Sequence, residues 1–266
     1  MESNLYFVSK LCQLSKSLAF SEGYEIKGIN FYPIKVKNIY EFYMTVPVLM
    51  VKQDRMRDKT LMKLPYLWFL FYAWDNAGKY ERQDFSFYMT SLFALIELAT
   101  GETQIDVHYK YNNSNKLIQC DLVIKEVEFN YKEFEYIRDI ILQQAGIDWD
   151  NNFVNEDAER AVQEGIDFEN KQSGYIAPTL EDLLDLTSMY LHMCVDEICN
   201  KFTIRKFNNL VKRMASFEDY KLLRGAELSG WVTFKQPIPY WVSGFDKSDI
   251  FRNENKNYKS SNFMKI

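Results

Sequence analysis

The sequence predicts an α+β fold: N-terminal helices with a β-hairpin and short strands, followed by a small C-terminal helical bundle and an extended tail. Two observations carry this expectation. Apolar residues recur at helical spacing through residues 39–99, switch to strict alternation over 105–124, and return to helical spacing from Phe134 onward. The helical pattern then stops at two prolines, Pro237 and Pro239, set among large apolar residues.

The elements follow in order. Gly28 to Val36 holds Ile29 and Phe31 in an extended register, and Pro33 marks it as an edge strand or strand end. Asn38 is placed to cap a helix carrying Ile39, Phe42, Tyr43 and Val46, interrupted at Pro47. Leu64 and Pro65 open an intensely apolar helix, Tyr66 to Trp74, which Gly78 should close. A third helix runs from Asp84 as its cap through Phe85, Tyr88, Leu92, Leu95 and Ile96 to a stop at Gly101. Ile105, Val107, Tyr109 and Tyr111 then alternate with polar residues, matched by Ile118, Cys120, Leu122 and Ile124 across an Asn-rich turn, which is a β-hairpin. Val127 and Phe129 extend it, and Asn130 caps a helix whose stripe of Phe134, Ile137, Ile141 and Ala145 ends at Gly146.

Four segments result: an α+β lobe (1–147), a polar linker (148–178), a helical lobe (179–230) and an extended aromatic-rich arm (231–266). Thr179 with Asp182 resembles a capping box, with Leu180, Leu183, Leu184 and Leu191 as the buried face behind it. Two further helices are expected, one using Ile204, Phe207, Leu210, Val211 and Met214, the next starting at Ser216.

Composition narrows the function classes. A net charge of −5 argues against duplex nucleic acid as the main partner, which needs clustered cations to displace counterions. Lys201, Arg205, Lys206, Lys212 and Arg213 read as the wet face of an amphipathic helix. The four cysteines lack framework spacing and fit a reducing compartment, and the start, Met1 to Phe7, lacks the pattern of a secretory signal. The longest apolar runs fall short of the roughly 20 residues that span a bilayer, so a soluble, intracellular protein without a membrane partner is expected.

No catalytic, cofactor or metal site is expected. His192, Cys194 and Cys199 lack the second ligand pair that a zinc site uses, and His108 belongs to the solvated face of the hairpin. Glu181, Asp182 and Asp185 start a helix, while Asp148 and Asp150 fall in the linker, so capping and solvation account for them. Aromatic residues make up 16% of the chain, a share that points to surfaces half-buried against a partner. Trp231, Phe234, Trp241 and Phe245 read equally as core plugs or as anchors for a neighbouring subunit, since both need burial, and with Phe251 they are the candidate partner-binding residues.

Three segments carry a resemblance to a known family: Gly28-Ile-Asn-Phe-Tyr-Pro-Ile-Lys-Val36 with Tyr40-Glu-Phe42, Phe134 to Ile147, and Leu228-Ser-Gly-Trp-Val-Thr-Phe-Lys-Gln-Pro-Ile238. In order and layout they resemble tail and baseplate assembly proteins of phages and phage-like particles of Gram-positive bacteria. The resemblance implies a non-enzymatic role, as a virion component or an assembly chaperone. It implies tail or baseplate proteins as partners, with self-association among the options, and residence in the host cytoplasm during assembly or in the finished particle. A small effector or enzyme and a nucleic-acid-binding regulator are the rival classes.

Overall fold

The computed structural model describes residues 14–53, 56, 58–80, 82–114, 116–147, 160, 164, 165, 168, 177–230, 234, 238, 240 and 241. The fold is α+β, and the chain divides into two compact units. The first gathers Met1–Ala158 and Cys199–Arg205; the second gathers Glu159–Ile198 and Lys206–Ile266. The short return of Cys199–Arg205 to the first unit cuts into the lobe expected over 179–230. Most of the expected linker and arm lies outside the described residues.

The first unit begins with a helical segment, residues 14–20, and a hairpin of two short strands, β1 (Tyr24–Ile26) and β2 (Ile29–Phe31). Lys27 and Gly28 connect them with φ of 51° and 83°, the left-handed pair that matches the twist of a two-residue hairpin. Only the second strand is visible in the sequence pattern. Beyond Pro33 the chain pairs with the return segment: the Val36 amide donates to the Phe202 carbonyl at 3.0 Å, and the Ile204 amide to the Ile34 carbonyl at 2.9 Å.

Helix α1 (Ile39–Thr45) buries Ile39 and Phe42, and Pro47 turns the chain into a 3₁₀ turn, Val46–Leu49. The Asn38 side chain does not cap α1. A short helix that the sequence does not announce, α2 (Lys59–Lys63), starts on Asp58, whose carboxylate accepts the Thr60 amide at 2.7 Å. Helix α3 (Tyr66–Asp75) is apolar nearly all round and buries Tyr66, Leu67, Phe69, Leu70, Phe71 and Ala73, so it forms the centre of the unit. Burial of each of these large side chains stabilises the unit by about 1.5–3 kcal/mol relative to exposure.

Gly78 does not close α3. That helix ends at Asn76, and Gly78 lies inside the single turn α4 (Ala77–Tyr80). Asp84 does not cap the next helix either; its carboxylate is held below the ordinary range by two hydrogen bonds from Arg82, and a 3₁₀ turn, Gln83–Phe87, leads into α5 (Tyr88–Thr100). Gly101 ends α5 with φ of 75°, as its sequence position predicts.

Strands β3 (Ile105–Tyr111), β4 (Leu117–Ile124) and β5 (Val127–Phe129) form an antiparallel sheet in the order β3-β4-β5. Val107, Cys120, Leu122, Ile124 and Phe129 point into the core. The register shifts between Lys110 and Tyr111, which leaves Ile118 unpaired and half-exposed and gives Leu117 the inward position expected of Ile118. Helix α6 (Tyr131–Ala145) starts on a capping box of Asn130 and Glu133 and stops at Gly146, φ 76°. Its buried Gln144 donates to the Ser17 hydroxyl and to the Phe31 carbonyl, tying the helical segment and β2 to α6. Arg138 donates from Nε to the Leu49 carbonyl at 2.7 Å, and its guanidinium lies 3.8 Å from the centre of the Tyr66 ring.

The second unit contains α7 (Leu180–Leu191), most of α8 (Val195–Lys201) and most of α9 (Ile204–Leu228). Thr179 and Asp182 form the expected capping box at the start of α7. Leu180, Leu183 and Thr187 are its buried positions, whereas Leu184 and Leu191 are only partly covered. Helix α9 is continuous through Ser216, where the sequence suggested a new helix. Phe217 follows Met214 by three residues and keeps the same stripe, so nothing in the apolar pattern calls for a break there.

Candidate interaction surfaces

Of the five predicted anchors, Phe234 and Trp241 are described and both are half-buried; Trp231, Phe245 and Phe251 lie outside the described residues. Trp241 meets Phe217 of α9 edge-on, with ring centroids 5.0 Å apart. Its neighbour Tyr240 stands edge-on to Tyr220 at 5.7 Å. Phe217 and Tyr220 are three apart on α9 and so share one side of the helix, which accepts a two-residue aromatic step from the chain beyond the prolines.

Charges frame this aromatic step. Lys221 Nζ lies 4.7 Å from the Phe217 ring centre and pairs with Glu218 at 2.7 Å. Glu218 also takes a short hydrogen bond from the Tyr190 hydroxyl of α7, and the donors Lys221 and Tyr190 hold its pKa below the usual glutamate range. Arg224 stacks over Tyr220 and pairs with Glu227. Tyr240 remains 56% exposed, and Leu222 and Leu228 on α9 are 71% and 85% exposed, so the unit presents large apolar side chains to its surroundings. Trp241 is singled out by the sequence pattern, whereas its neighbours Tyr240, Phe217 and Tyr220 are not, although the aromatic pair Phe217 and Tyr220 at helical spacing was an available signal.

A different surface belongs to the first unit. On the outer face of the sheet, His108 Nδ1 pairs with Glu128 Oε1 at 2.7 Å, and His108 is exposed as its position in the hairpin predicts. On the opposite face, beside the outer edge of β3, Tyr109 stacks on Phe71 at 4.5 Å while staying 52% exposed, and Trp74 next to Phe71 is 40% exposed. The Tyr111 hydroxyl donates to Asp75 at 2.7 Å, and burial is the main cause of its raised pKa.

No protein-family model, curated protein or solved structure matches the chain. Its function is therefore argued from these surfaces and from the segments quoted above.

The remaining chemical candidates stand apart. Among the described residues no group of three His, Cys, Asp or Glu side chains is arranged to hold a metal ion. His192 ends α7 in a left-handed conformation, φ 52°, Cys194 is exposed in the following loop and Cys199 sits on α8. Within the first unit, Arg205 of the basic run donates to the Gln143 carbonyl and is half-buried, so this cation is used in packing rather than presented on a wet face. Among the described residues no helix is long and apolar enough to cross a membrane.

Proposed function

We propose that this chain is a non-enzymatic phage tail or baseplate protein, either a virion structural component or a chaperone of tail assembly, acting through protein–protein contacts in the host cytoplasm. The observation that carries the reading is the aromatic step of Tyr240 and Trp241 on Phe217 and Tyr220, with Tyr240 more than half exposed. Aromatic side chains held by a rigid helix lose little conformational freedom when a partner covers them, which is what an interface anchor requires. The resemblance of the quoted segments to tail and baseplate assembly proteins suggests the class of partner.

Mass spectrometry of intact particles, beside the soluble fraction of the producing cells, tests the proposal. A fixed stoichiometry in particles identifies a structural subunit, and presence only in soluble complexes with tail proteins identifies a chaperone. Absence from both overturns the proposal. Replacing Tyr240 and Trp241 together with alanine should reduce recovery in those complexes while the fold of the first unit, followed by circular dichroism, stays intact.

A further inference from the structure

We infer that the outer edge of β3 pairs with β3 of a second copy of this chain, extending the three-stranded sheet antiparallel across a two-fold axis at His108. This edge lies in the first unit and does not depend on the aromatic step of the second.

The phase of the strand decides which groups the edge offers. The Lys125 amide donates to the Gln104 carbonyl at 2.8 Å, so Gln104, Asp106, His108 and Lys110 turn their backbone groups toward β4. Ile105, Val107, Tyr109 and Tyr111 consequently turn theirs outward. Val107 confirms the phase: its amide donates to the neighbouring Asp106 carboxylate at 2.7 Å rather than to β4. The register irregularity lies on β4, which holds the extra residue Ile118, so β3 stays regular across all seven of its residues.

Among the described residues β3 pairs with β4 alone, and an edge left open in this way is a template for another strand. Its sequence, Ile-Asp-Val-His-Tyr-Lys-Tyr, is self-complementary in one antiparallel register. With His108 opposite its own copy, Asp106 faces Lys110 and Lys110 faces Asp106. Val107 faces Tyr109, and Ile105 faces Tyr111. Every outward-facing residue then meets another outward-facing residue, as an antiparallel ladder requires. Moving the axis to Tyr109 sets His108 against Lys110, and moving it to Val107 sets Asp106 against His108 and leaves Lys110 against Gln104. Only the axis at His108 pairs the Asp106 carboxylate with the Lys110 ammonium, and the two-fold makes that pair occur twice.

The side chains fit the same arrangement. Asp106 occupies the Val107 amide in the single chain and is released to Lys110 of the second copy when a carbonyl takes that amide. Tyr109, half-exposed on Phe71, gains Val107 of the second copy as a same-face neighbour, so the layer that ends at Tyr109 and Trp74 is continued.

The test is sedimentation equilibrium on the full chain and on charge-exchanged variants. The wild-type chain is expected to dimerise in the micromolar range. Asp106→Lys and Lys110→Asp each place like charges opposite one another twice and should raise the dissociation constant roughly tenfold or more. Mixed together, these two variants complement each other and should form a heterodimer; the doubly exchanged chain should self-associate again. Unchanged circular dichroism confirms that the sheet is intact. Should Asp106→Lys fail to fold, Lys110→Asp alone carries the test, because it leaves the Val107 amide bond in place. A wild-type chain that stays monomeric, or a dimer indifferent to these exchanges, overturns the inference.

Discussion

Replacing Gln144 with methionine keeps an unbranched side chain of similar length and removes two buried hydrogen bonds, to the Ser17 hydroxyl at 2.8 Å and the Phe31 carbonyl at 2.9 Å. Gln144 is 3% exposed and Ser17 1% exposed, so water does not replace what is lost. Each bond contributes about 1 kcal/mol net, and leaving the Ser17 hydroxyl without its donor adds about 1 kcal/mol, for a total of about 2–3 kcal/mol. Ser17→Ala alone should cost about 1 kcal/mol, because Gln144 keeps its bond to Phe31. The double variant should cost less than the sum by about 2 kcal/mol, since both single variants lose the shared Ser17–Gln144 bond and the alanine leaves no orphaned hydroxyl. With two compact units a global melt is not a two-state measurement, so native-state hydrogen exchange on peptides covering residues 14–20 and 131–145 is the suitable assay. Strict additivity, or a Gln144→Met effect below about 0.5 kcal/mol, would refute the assignment of this amide as the tie between the helical segment, β2 and α6.

Three other outcomes are expected. Burial works to raise the pKa of Glu133, but the Lys27 ammonium and the Asn130 amide outweigh it and hold the carboxyl below the ordinary value of 4.5. Its folded value is the lower one, so its contribution is complete above the unfolded pKa and is lost as pH falls through the folded pKa; Glu133→Gln should flatten that acid limb in a stability-versus-pH series. Gly101→Ala forces a Cβ onto a left-handed residue, φ 75°, and should lower the stability of the first unit by about 1 kcal/mol, read by native-state hydrogen exchange on peptides covering residues 88–100, whereas the neighbouring partly exposed Glu102→Ala should disrupt only its pair with Lys125. Cys120 is buried and burial pushes its thiol pKa up, so alkylation of the native protein should label exposed Cys194 first and reach Cys120 only when the first unit opens.

The parts of the fold that the sequence makes legible are those set by short-range chemistry. Asn130 with Glu133, and Thr179 with Asp182, place helix starts because both partners of a capping box lie three residues apart. The alternation over β3 places one face of the sheet on the core for the same reason. The hairpin of β1 and β2 was hidden because each strand has three residues, too few for a period, and because its left-handed turn is Lys27-Gly28 rather than Asn-Gly. Lys27 is held in that turn from a distance: its ammonium donates to the Glu128 carbonyl and pairs with Glu133, each more than a hundred residues along the chain. The pairing of Ile34 and Val36 with Phe202 and Ile204 is equally remote, and no local pattern encodes it.

The candidate surfaces divide along the same line. Trp241 stands out because a large aromatic residue after two prolines cannot be absorbed by a helix of its own. Phe217 and Tyr220 do not stand out, since an aromatic pair at helical spacing looks the same whether it faces a core or receives a later segment. The open edge of β3 depends on still less local information. Its composition, with Asp106, His108 and Lys110 among seven residues, resembles the charged edges that prevent indiscriminate strand pairing. What changes the meaning of those charges is phase. Once the Lys125 and Val107 amides show which backbone groups point outward, Asp106 and Lys110 lie symmetrically about His108, so charges that repel most registers favour the one in which the strand meets its own copy. The same residues thereby restrict the edge and select its occupant, a property of strand order and register that becomes visible only after the sheet is known.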